Sequence, residues 1–444
     1  MQYYHSGKLS QHLLWLAAAA GVAGLLASRA LVALAPVVGV LAALANPELR
    51  RALPLYFHNG AAMRGAGIVG FLLVSSLYTS EWATWCHELF RSLPWLGVPL
   101  AFTLAVPLTG RQRLAVGALF VLGTAAVGLA TLGEYLLDPA RANAAIRMGQ
   151  NMQAITNVFH IPFGVMLALG FFWGLLLRRS PLASSGLRAA LLVAAIAAVL
   201  TLHMLAYRTG LLVLYTGLLL YAVQLLTRRH WALGLALLLA LGLGPWAAFH
   251  SFESVRVRAK TTVWDVQQFT LNHDINEYSL ARRLAAVETA GAVIRQHWLF
   301  GVAPADTHAA MQSQYQWQDF GLRPANRVEV HNQYLETLMG GGLVGLALWL
   351  AVLFWPLTQP RMRRNPYVCF FIIGQATVMM VADMLSLQIG LNLFVFGYGF
   401  LVVAAEREGA VSSEQDVLSP LTAFSPTLWY PPSSCGTSQS GRGL

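Results

Sequence analysis

Residues 188–227 read RAALLVAAIAAVLTLHMLAYRTGLLVLYTGLLLYAVQLLT, and this stretch decides the fold class. Two apolar blocks, 188–207 and 209–227, are separated by little more than Arg208. Each block has about the 20 residues that a helix needs to cross roughly 30 Å of hydrocarbon. The stretch therefore predicts two membrane-spanning helices joined by a tight turn.

Similar blocks recur along the rest of the chain. Of the 444 residues, 57% are hydrophobic and 11% are charged, less than half the charge of a soluble domain, which is about 25%. Spans must be helical because an unpaired backbone amide in lipid is costly. We predict an all-α polytopic membrane protein with about twelve spans near 12–27, 30–45, 61–79, 94–110, 114–136, 157–177, 188–207, 209–227, 231–249, 333–357, 366–386 and 388–405. The first two spans are short and nearly fused, so ten or eleven spans also fit.

Arginines in the short loops predict the orientation. If the N-terminus is cytoplasmic, the cytoplasmic loops carry twelve arginines, and the opposite short loops carry five, which are Arg29, Arg91, Arg141, Arg147 and Arg208. The long segment 250–332 then faces the periplasm, and the protein lies in a bacterial inner membrane. The net charge of +10 largely follows from this bias, so it does not indicate a nucleic-acid partner.

The predicted organisation has four parts. Residues 1–249 hold spans 1–9, 250–332 form one large periplasmic loop, 333–405 hold spans 10–12, and 406–444 form a disordered cytoplasmic tail rich in Ser, Pro, Thr and Gly. Within the loop, residues 280–298 have apolar positions at helical spacing, which predicts an amphipathic helix lying against the membrane face. A second short helix is predicted over 306–318.

The stretch from His331 to Gly345 joins this loop to the next span. A histidine at the edge of the membrane can act as a general base at neutral pH. The glycines that follow permit close approach of a neighbouring helix. The alternative is an interfacial histidine beside an Asn332 that caps the helix, and the stretch taken alone favours this alternative.

Arginines are the second group of candidate residues. Arg208 between two apolar spans is costly unless it pairs, binds an anion or extends to the interface. Its guanidinium could hold a phosphate through two parallel hydrogen bonds. Arg282 and Arg283 begin the amphipathic loop helix, where paired arginines usually meet water or lipid headgroups.

Other polar residues are weaker candidates. Arg91 and Arg147 near the outer face could bind substrate phosphates, although contact with lipid headgroups is the simpler explanation. Arg64 and Asp383, near or inside spans, are expected to pair within the fold, and His160 is expected in the core. The loops contain no Asp-x-Asp motif that would hold a divalent ion, so we expect no metal.

Together these features resemble one known family. His331-Asn332, nine residues, Gly342, two residues and Gly345 resemble the H-[N/S/Q]-x9-G-x-x-G signature of bacterial O-antigen ligases and the wider O-antigen ligase/polymerase (Wzy_C-type) superfamily. The stretch Arg283–Val302 is similar to a second family motif, but Trp298 stands where proline is common and Ala303 where glycine is common. The turn at Arg208 and the twelve-span layout are also similar to the family.

The resemblance implies a GT-C-like, metal-independent and inverting glycosyltransferase without a cofactor. Its donor would be a glycan on undecaprenyl diphosphate, and its acceptor a sugar hydroxyl of lipid A–core, both reached from the membrane lipids. His331 would be the base, and Arg208 and Arg283 would bind the diphosphate, with Arg282 as a rival to Arg283. Asn332, Arg91 and Arg147 would be further substrate-binding residues.

Two groups of alternatives remain open at this point. O-antigen polymerases and protein O-oligosaccharyltransferases would share the histidine and the arginines and differ in acceptor, although the latter often carry a further C-terminal region. A lipid or glycan transporter would instead predict charged or broken helices at mid-membrane and inverted repeats. The sequence has its charges mainly at helix ends.

Overall fold

The computed structural model describes residues 2–147 and 152–409, and throughout this part the regular structure is helical. The α-helices are α1 (Gln2–His5), α2 (Lys8–Ala27), α3 (Arg29–Leu44), α4 (Leu49–His58), α5 (Gly60–Ser75), α6 (Trp82–Ser92), α7 (Pro94–Leu104), α8 (Gly110–Leu137), α9 (Pro139–Arg147), α10 (His160–Leu177), α11 (Ser185–Met204), α12 (Arg208–Thr227), α13 (Trp231–Ser251), α14 (Glu253–Thr270), α15 (Ser279–Gln296), α16 (Thr307–Trp317), α17 (Gln333–Thr358), α18 (Pro360–Arg363), α19 (Pro366–Met379) and α20 (Gln388–Tyr398). Short 3-10 turns occupy Pro324–Asn326 and Met384–Ser386, and a π-helical segment, Gly399–Val403, extends α20.

Among the described residues, eight helices are long and apolar enough to span a membrane: α2, α8, α10, α11, α12, α13, α17 and α20 with its extension to Gly409. The chain is therefore a multi-pass membrane protein. Three shorter apolar helices, α3, α5 and α19, coincide with predicted spans. The fourth predicted span is the 11-residue helix α7, whose length is well below that of a full crossing. The exact count of twelve stays a prediction.

One end of the helix bundle is held by polar contacts near the last described residues. Arg64 pairs with Glu406 at 2.8 Å, and Glu406 also accepts a hydrogen bond from Gln359 at 2.9 Å. Arg407 donates to the Phe102 and Ala105 carbonyls. Arg64 thus pairs within the fold, as expected for a charge in a span. The predicted boundary of the tail at 406 is wrong, because residues 406–409 continue the helix; residues 410–444 lie outside the described part.

Several helix termini lie together at the opposite end of the bundle. The turn between α2 and α3, the segment 156–159 and the segment 386–389 line one cavity there. The Tyr207 hydroxyl, just before α12, donates to the Met152 carbonyl at 2.9 Å. The end of α2 and the beginnings of α3, α10, α12 and α20 therefore lie at this end of the bundle.

The long loop forms a helical unit with an apolar core of its own. This core includes Ala285, Ala290, Met311 and Val330. The helix predicted over 280–298 is present as α15, but its apolar side packs on α14, α16 and α17 and not against a membrane face. Alanines line that side of α15, and their small side chains permit such close packing.

Candidate active site

The beginning of α17 is bound to the connection between α19 and α20. Each of the residues 331–334 makes a hydrogen bond to the segment 376–385. The pairs are His331 Nδ1 with Asp383 Oδ1 at 3.0 Å, Asn332 Nδ2 with the Met380 carbonyl at 2.9 Å, Gln333 Oε1 with the Leu385 amide at 2.8 Å, and the Tyr334 hydroxyl with the Ala376 carbonyl at 2.9 Å. The start of α17, and His331 with it, is therefore held in place by the connection between α19 and α20.

The contact with Asp383 determines what the imidazole of His331 can do. A carboxylate accepts a hydrogen bond from protonated Nδ1, which leaves the lone pair of Nε2 free to accept a proton. Asn332 at the same time caps α17, because its Oδ1 accepts from the Tyr334 and Leu335 amides at 3.0 Å. The capping role foreseen for Asn332 thus coexists with an oriented His331.

Three arginines from three different helices converge near this pair. Arg208 begins α12, Arg258 lies in α14 and Arg283 lies in α15. Burial and then the nearby Arg208 lower the pKa of Arg258 to about 10, against the opposing effect of Asp265. Burial and then Arg208 also lower the pKa of Arg283, whereas Asp383 raises it. All three guanidinium groups nevertheless stay charged at neutral pH.

Arg208 and Arg283 have few described partners that neutralise them. Arg208 Nη1 donates to the hydroxyl of Thr262 at 3.0 Å. Arg283 donates no hydrogen bond and forms no ion pair to any residue in 2–147 or 152–409. Asp265 lies close to Arg208 and Arg258 and also accepts from the Leu280 amide at 2.8 Å, which caps α15. The cluster has an excess of positive charge, which favours an anionic ligand.

Arg283 connects the two groups, because its guanidinium interacts electrostatically with both Arg208 and Asp383. The five side chains of Arg208, Arg258, Arg283, His331 and Asp383 are called the His–Arg site below. Such a site can hold a doubly charged anion beside a group that accepts a proton.

A break in α17 lies behind this site. Gly342 has φ 58° and ψ −161°, a conformation that only glycine adopts readily. The segment 298–303 lies in the break: the Val302 amide donates to the Met339 carbonyl at 2.9 Å, and the Leu343 amide donates to the Trp298 carbonyl at 2.9 Å. A Cβ on Gly342 would lie 2.2 Å from the Leu299 carbonyl. The break thus fixes the loop unit onto α17.

Comparison with known families identifies this part of the chain. A family model described as O-antigen ligase matches residues 189–350. This segment is similar to the O-antigen ligase family. No curated protein matches the chain. The matched segment contains Arg208, Arg258, Arg283, His331 and the glycines of α17, whereas Asp383 follows it.

The geometry gives a physical reason for the motifs of this O-antigen ligase domain. The signature glycines and the stretch that ends near Val302 belong to the same packed junction, although about forty residues separate them in sequence. Ala303, where glycine is common in the family, has φ 86°, which is unusual for a residue with a side chain. Gly345 differs from Gly342, because a Cβ there would make only ordinary contact with Phe71 at 3.4 Å.

The remaining candidate residues of the O-antigen ligase domain and its surroundings are engaged elsewhere or not described. Arg282 donates to Asn326 Oδ1 at 3.0 Å, on the loop side of α15. Arg91 pairs with Glu88 and donates to the Leu385 carbonyl at 2.6 Å, so it holds the turn that carries Asp383. The side chain of Arg147 lies outside the described part.

Sequence reasoning missed three residues that lie in or near the His–Arg site. Arg258 lies in a segment that has no motif, and only the packing of α14 brings it to Arg208. Asp383 was assigned to structural pairing, yet its partner is His331. His160 was expected in the core, but its ring is only half-buried and interacts electrostatically with all three arginines. For His160 and Asp383 the one signal was a polar side chain at the end of an apolar helix, whereas Arg258, inside α14, offered no such signal.

Carboxylates and histidines near the site were also compared with the needs of a metal ion. Within residues 2–147 and 152–409, no group of three or more His, Cys, Asp and Glu side chains has the arrangement that holds a metal. The expectation of a metal-independent reaction stays a prediction, and chelation tests it.

Proposed function

We propose that this protein is an O-antigen ligase that moves a glycan from undecaprenyl diphosphate to a sugar hydroxyl of lipid A–core. The observation that carries the proposal is the His–Arg site, in which His331 held by Asp383 lies beside three clustered arginines. The reaction would occur at the periplasmic face of a bacterial inner membrane, where the arginine bias of the loops puts this end of the bundle.

The arginines fit the leaving group. As the bond between the anomeric carbon and the phosphate oxygen breaks, its electron pair goes to the diphosphate and increases the negative charge there. Preorganised cations in a partly buried site stabilise such a developing charge strongly. Arg283, which has no described partner, is the arginine most available to the diphosphate, and Arg208 and Arg258 would hold it from neighbouring helices.

The histidine fits the acceptor. The acceptor oxygen forms a new bond to the anomeric carbon and loses its proton to Nε2 of His331. Asp383, on Nδ1, keeps the ring in the required tautomer and stabilises the imidazolium that forms. Because the hydroxyl attacks from the face opposite the diphosphate, the reaction would invert the anomeric centre.

Polymerases and protein O-oligosaccharyltransferases of the same superfamily would use the same groups with another acceptor, and the acceptor assay below separates them. A transporter is less well supported. The broken helix that a transporter predicts is present in α17, but backbone of the segment 298–303 lies in the break. The break is therefore explained by packing and does not require an ion path.

The test uses purified protein in nanodiscs with an undecaprenyl-diphosphate glycan and three acceptors: lipid A–core, a second donor molecule and an unfolded acceptor peptide. We expect product on lipid A–core, with and without a chelator. His331→Ala should reduce kcat by about a hundredfold to ten-thousandfold, the usual contribution of general base catalysis.

His203→Ala is the matched control, since His203 lies at the same end of the bundle but hydrogen-bonds to Tyr215 outside the His–Arg site. Near-normal turnover in His331→Ala would show that His331 is not the general base. Product on the second donor or on the peptide alone would make the protein a polymerase or a protein oligosaccharyltransferase.

A further inference from the structure

A second polar feature lies at the same end of the bundle as the His–Arg site. It is a cavity of about 430 Å³, called here the outer cavity. The turn between α2 and α3, the segment 156–159 and the segment 386–389 line it. Its polar lining consists of Ser28, Arg29, Thr156, Asn157, Ser386 and Gln388. None of these residues belongs to the His–Arg site.

Arg29 gives the outer cavity a positive charge. Its guanidinium makes no hydrogen bond or ion pair with any residue that the structure describes, and the residue is exposed. A free guanidinium at a membrane boundary suits a phosphate, which it can bind through two parallel hydrogen bonds. Among the described residues that line the cavity, none is acidic and would compete for Arg29.

Thr156 provides an independent indication of a ligand. Its hydroxyl oxygen is buried and has no hydrogen-bond partner among the described residues. A buried hydroxyl without a partner is destabilising, so such a group is usually met by water or by a ligand oxygen.

The outer cavity is connected to the His–Arg site through the chain at Asp383. Ser386, which lines the cavity, donates its amide to the Asp383 carbonyl at 3.1 Å. The cation of the cavity is Arg29, which is distinct from Arg208, Arg258 and Arg283.

We propose that the outer cavity binds the phosphorylated headgroup of the acceptor glycolipid, with Arg29 on a phosphate and Thr156 on a neighbouring oxygen. This inference rests on the proposed function. Ligation joins two anionic lipids, and both must be held at one end of the bundle at the same time. Since the arginine cluster serves the diphosphate donor, the acceptor needs a separate cation, and Arg29 is that cation.

The experiment measures steady-state kinetics of the full chain in nanodiscs while each substrate is varied in turn. Arg29→Gln should raise the KM for lipid A–core by about tenfold, the loss expected for one charge-assisted hydrogen bond, and leave kcat and the donor KM unchanged. Wild type should prefer a phosphorylated acceptor over its dephosphorylated form by a similar factor, and Arg29→Gln should abolish that preference. Thr156→Val should raise the same KM by a smaller factor.

Arg141→Gln is the control, because Arg141 is an exposed arginine at the same end that does not line the cavity. A change in the donor KM, or an unchanged preference for phosphate in Arg29→Gln, overturns the proposal. Direct binding of radiolabelled lipid A–core and of phosphatidylglycerol to the nanodiscs tests the proposed acceptor site separately from the proposed ligase activity. Arg29-dependent binding of lipid A–core without turnover would support the cavity and refute the ligase activity, whereas equal binding of both lipids would overturn its specificity for the acceptor.

Discussion

At the scale of single residues, the neighbours Arg282 and Arg283 show how one position along a helix decides a role. Both lie in the first turns of α15, but Arg282 faces Asn326 in the loop unit, whereas Arg283 faces Arg208 and Asp383. Adjacent helix positions point about 100° apart, so only one of them can reach the His–Arg site. Sequence reasoning left the two as rivals because they have the same chemistry.

We predict that Arg283→Ala lowers kcat by about a hundredfold to a thousandfold, as expected for loss of one preorganised cation. Arg283→Lys should recover part of the activity, because charge returns without the bidentate geometry. Arg282→Ala is the matched control and should stay within about threefold of wild type, in line with the loss of one hydrogen bond. Equal losses in both alanine variants would contradict the assignment.

Asp383 is the second residue whose role follows from geometry. We predict that Asp383→Asn, which keeps the size of the side chain, lowers kcat by about a hundredfold or more, because it can leave His331 in the wrong tautomer. The KM for the donor should change little. Met380→Leu, in the same connection, should have nearly wild-type kinetics, since only its backbone carbonyl contacts Asn332. A normal kcat in Asp383→Asn would mean that the contact only supports the fold.

At the scale of elements, the junction between the segment 298–303 and α17 fixes the loop unit to the membrane-spanning part. It consists of backbone hydrogen bonds, and a side chain at these positions would separate the two backbone segments. Gly301, Gly340 and Gly342 each leave room for backbone on the other side. This explains why two motifs that are far apart in sequence act as one structural unit.

The two signature glycines offer a matched comparison. Gly342→Ala should be destabilised by about 1–3 kcal/mol from backbone strain alone and by more from the contact with the Leu299 carbonyl. We therefore expect a lower melting temperature in detergent and a loss of activity. Gly345→Ala, with ordinary contacts to Phe71, should behave like wild type. Similar melting temperatures for Gly342→Ala and Gly345→Ala would contradict the positive φ angle described for Gly342.

At the scale of the whole molecule, polar contacts at both ends of the bundle define the path of the chain. Arg64 with Glu406 marks one end, and His331 with Asp383 marks the other. The arginine bias of the loops predicts that the first end faces the cytoplasm. The eight long helices cross between these ends, and the shorter apolar helices are packed among them.

Native and introduced cysteines test this orientation. Cys86 is exposed on α6, at the end that carries the His–Arg site. With Cys369 and Cys435 replaced by Ser, a membrane-impermeant maleimide should label Cys86 in intact cells. In a chain without native cysteines, Ser185→Cys, an exposed position at the start of α11, should be labelled only after permeabilisation. Labelling of Ser185→Cys in intact cells, with Cys86 labelled only after permeabilisation, would show the opposite orientation.

The sequence by itself determined the helical membrane fold, because long uncharged blocks can satisfy their backbone only as helices in lipid. The resemblance of its motifs to the O-antigen ligase family also pointed to His331, Arg208 and Arg283 as candidate site residues, and Arg208 between two apolar spans is costly unless it pairs, binds an anion or extends to the interface. Tertiary structure alone decided that Arg258 and Asp383 join them, that Arg91 supports a turn, and that α15 packs on protein and not on lipid. The physical reason is that contacts between distant segments depend on how helices pack, and no local pattern of residues records the neighbour that a helix face will meet.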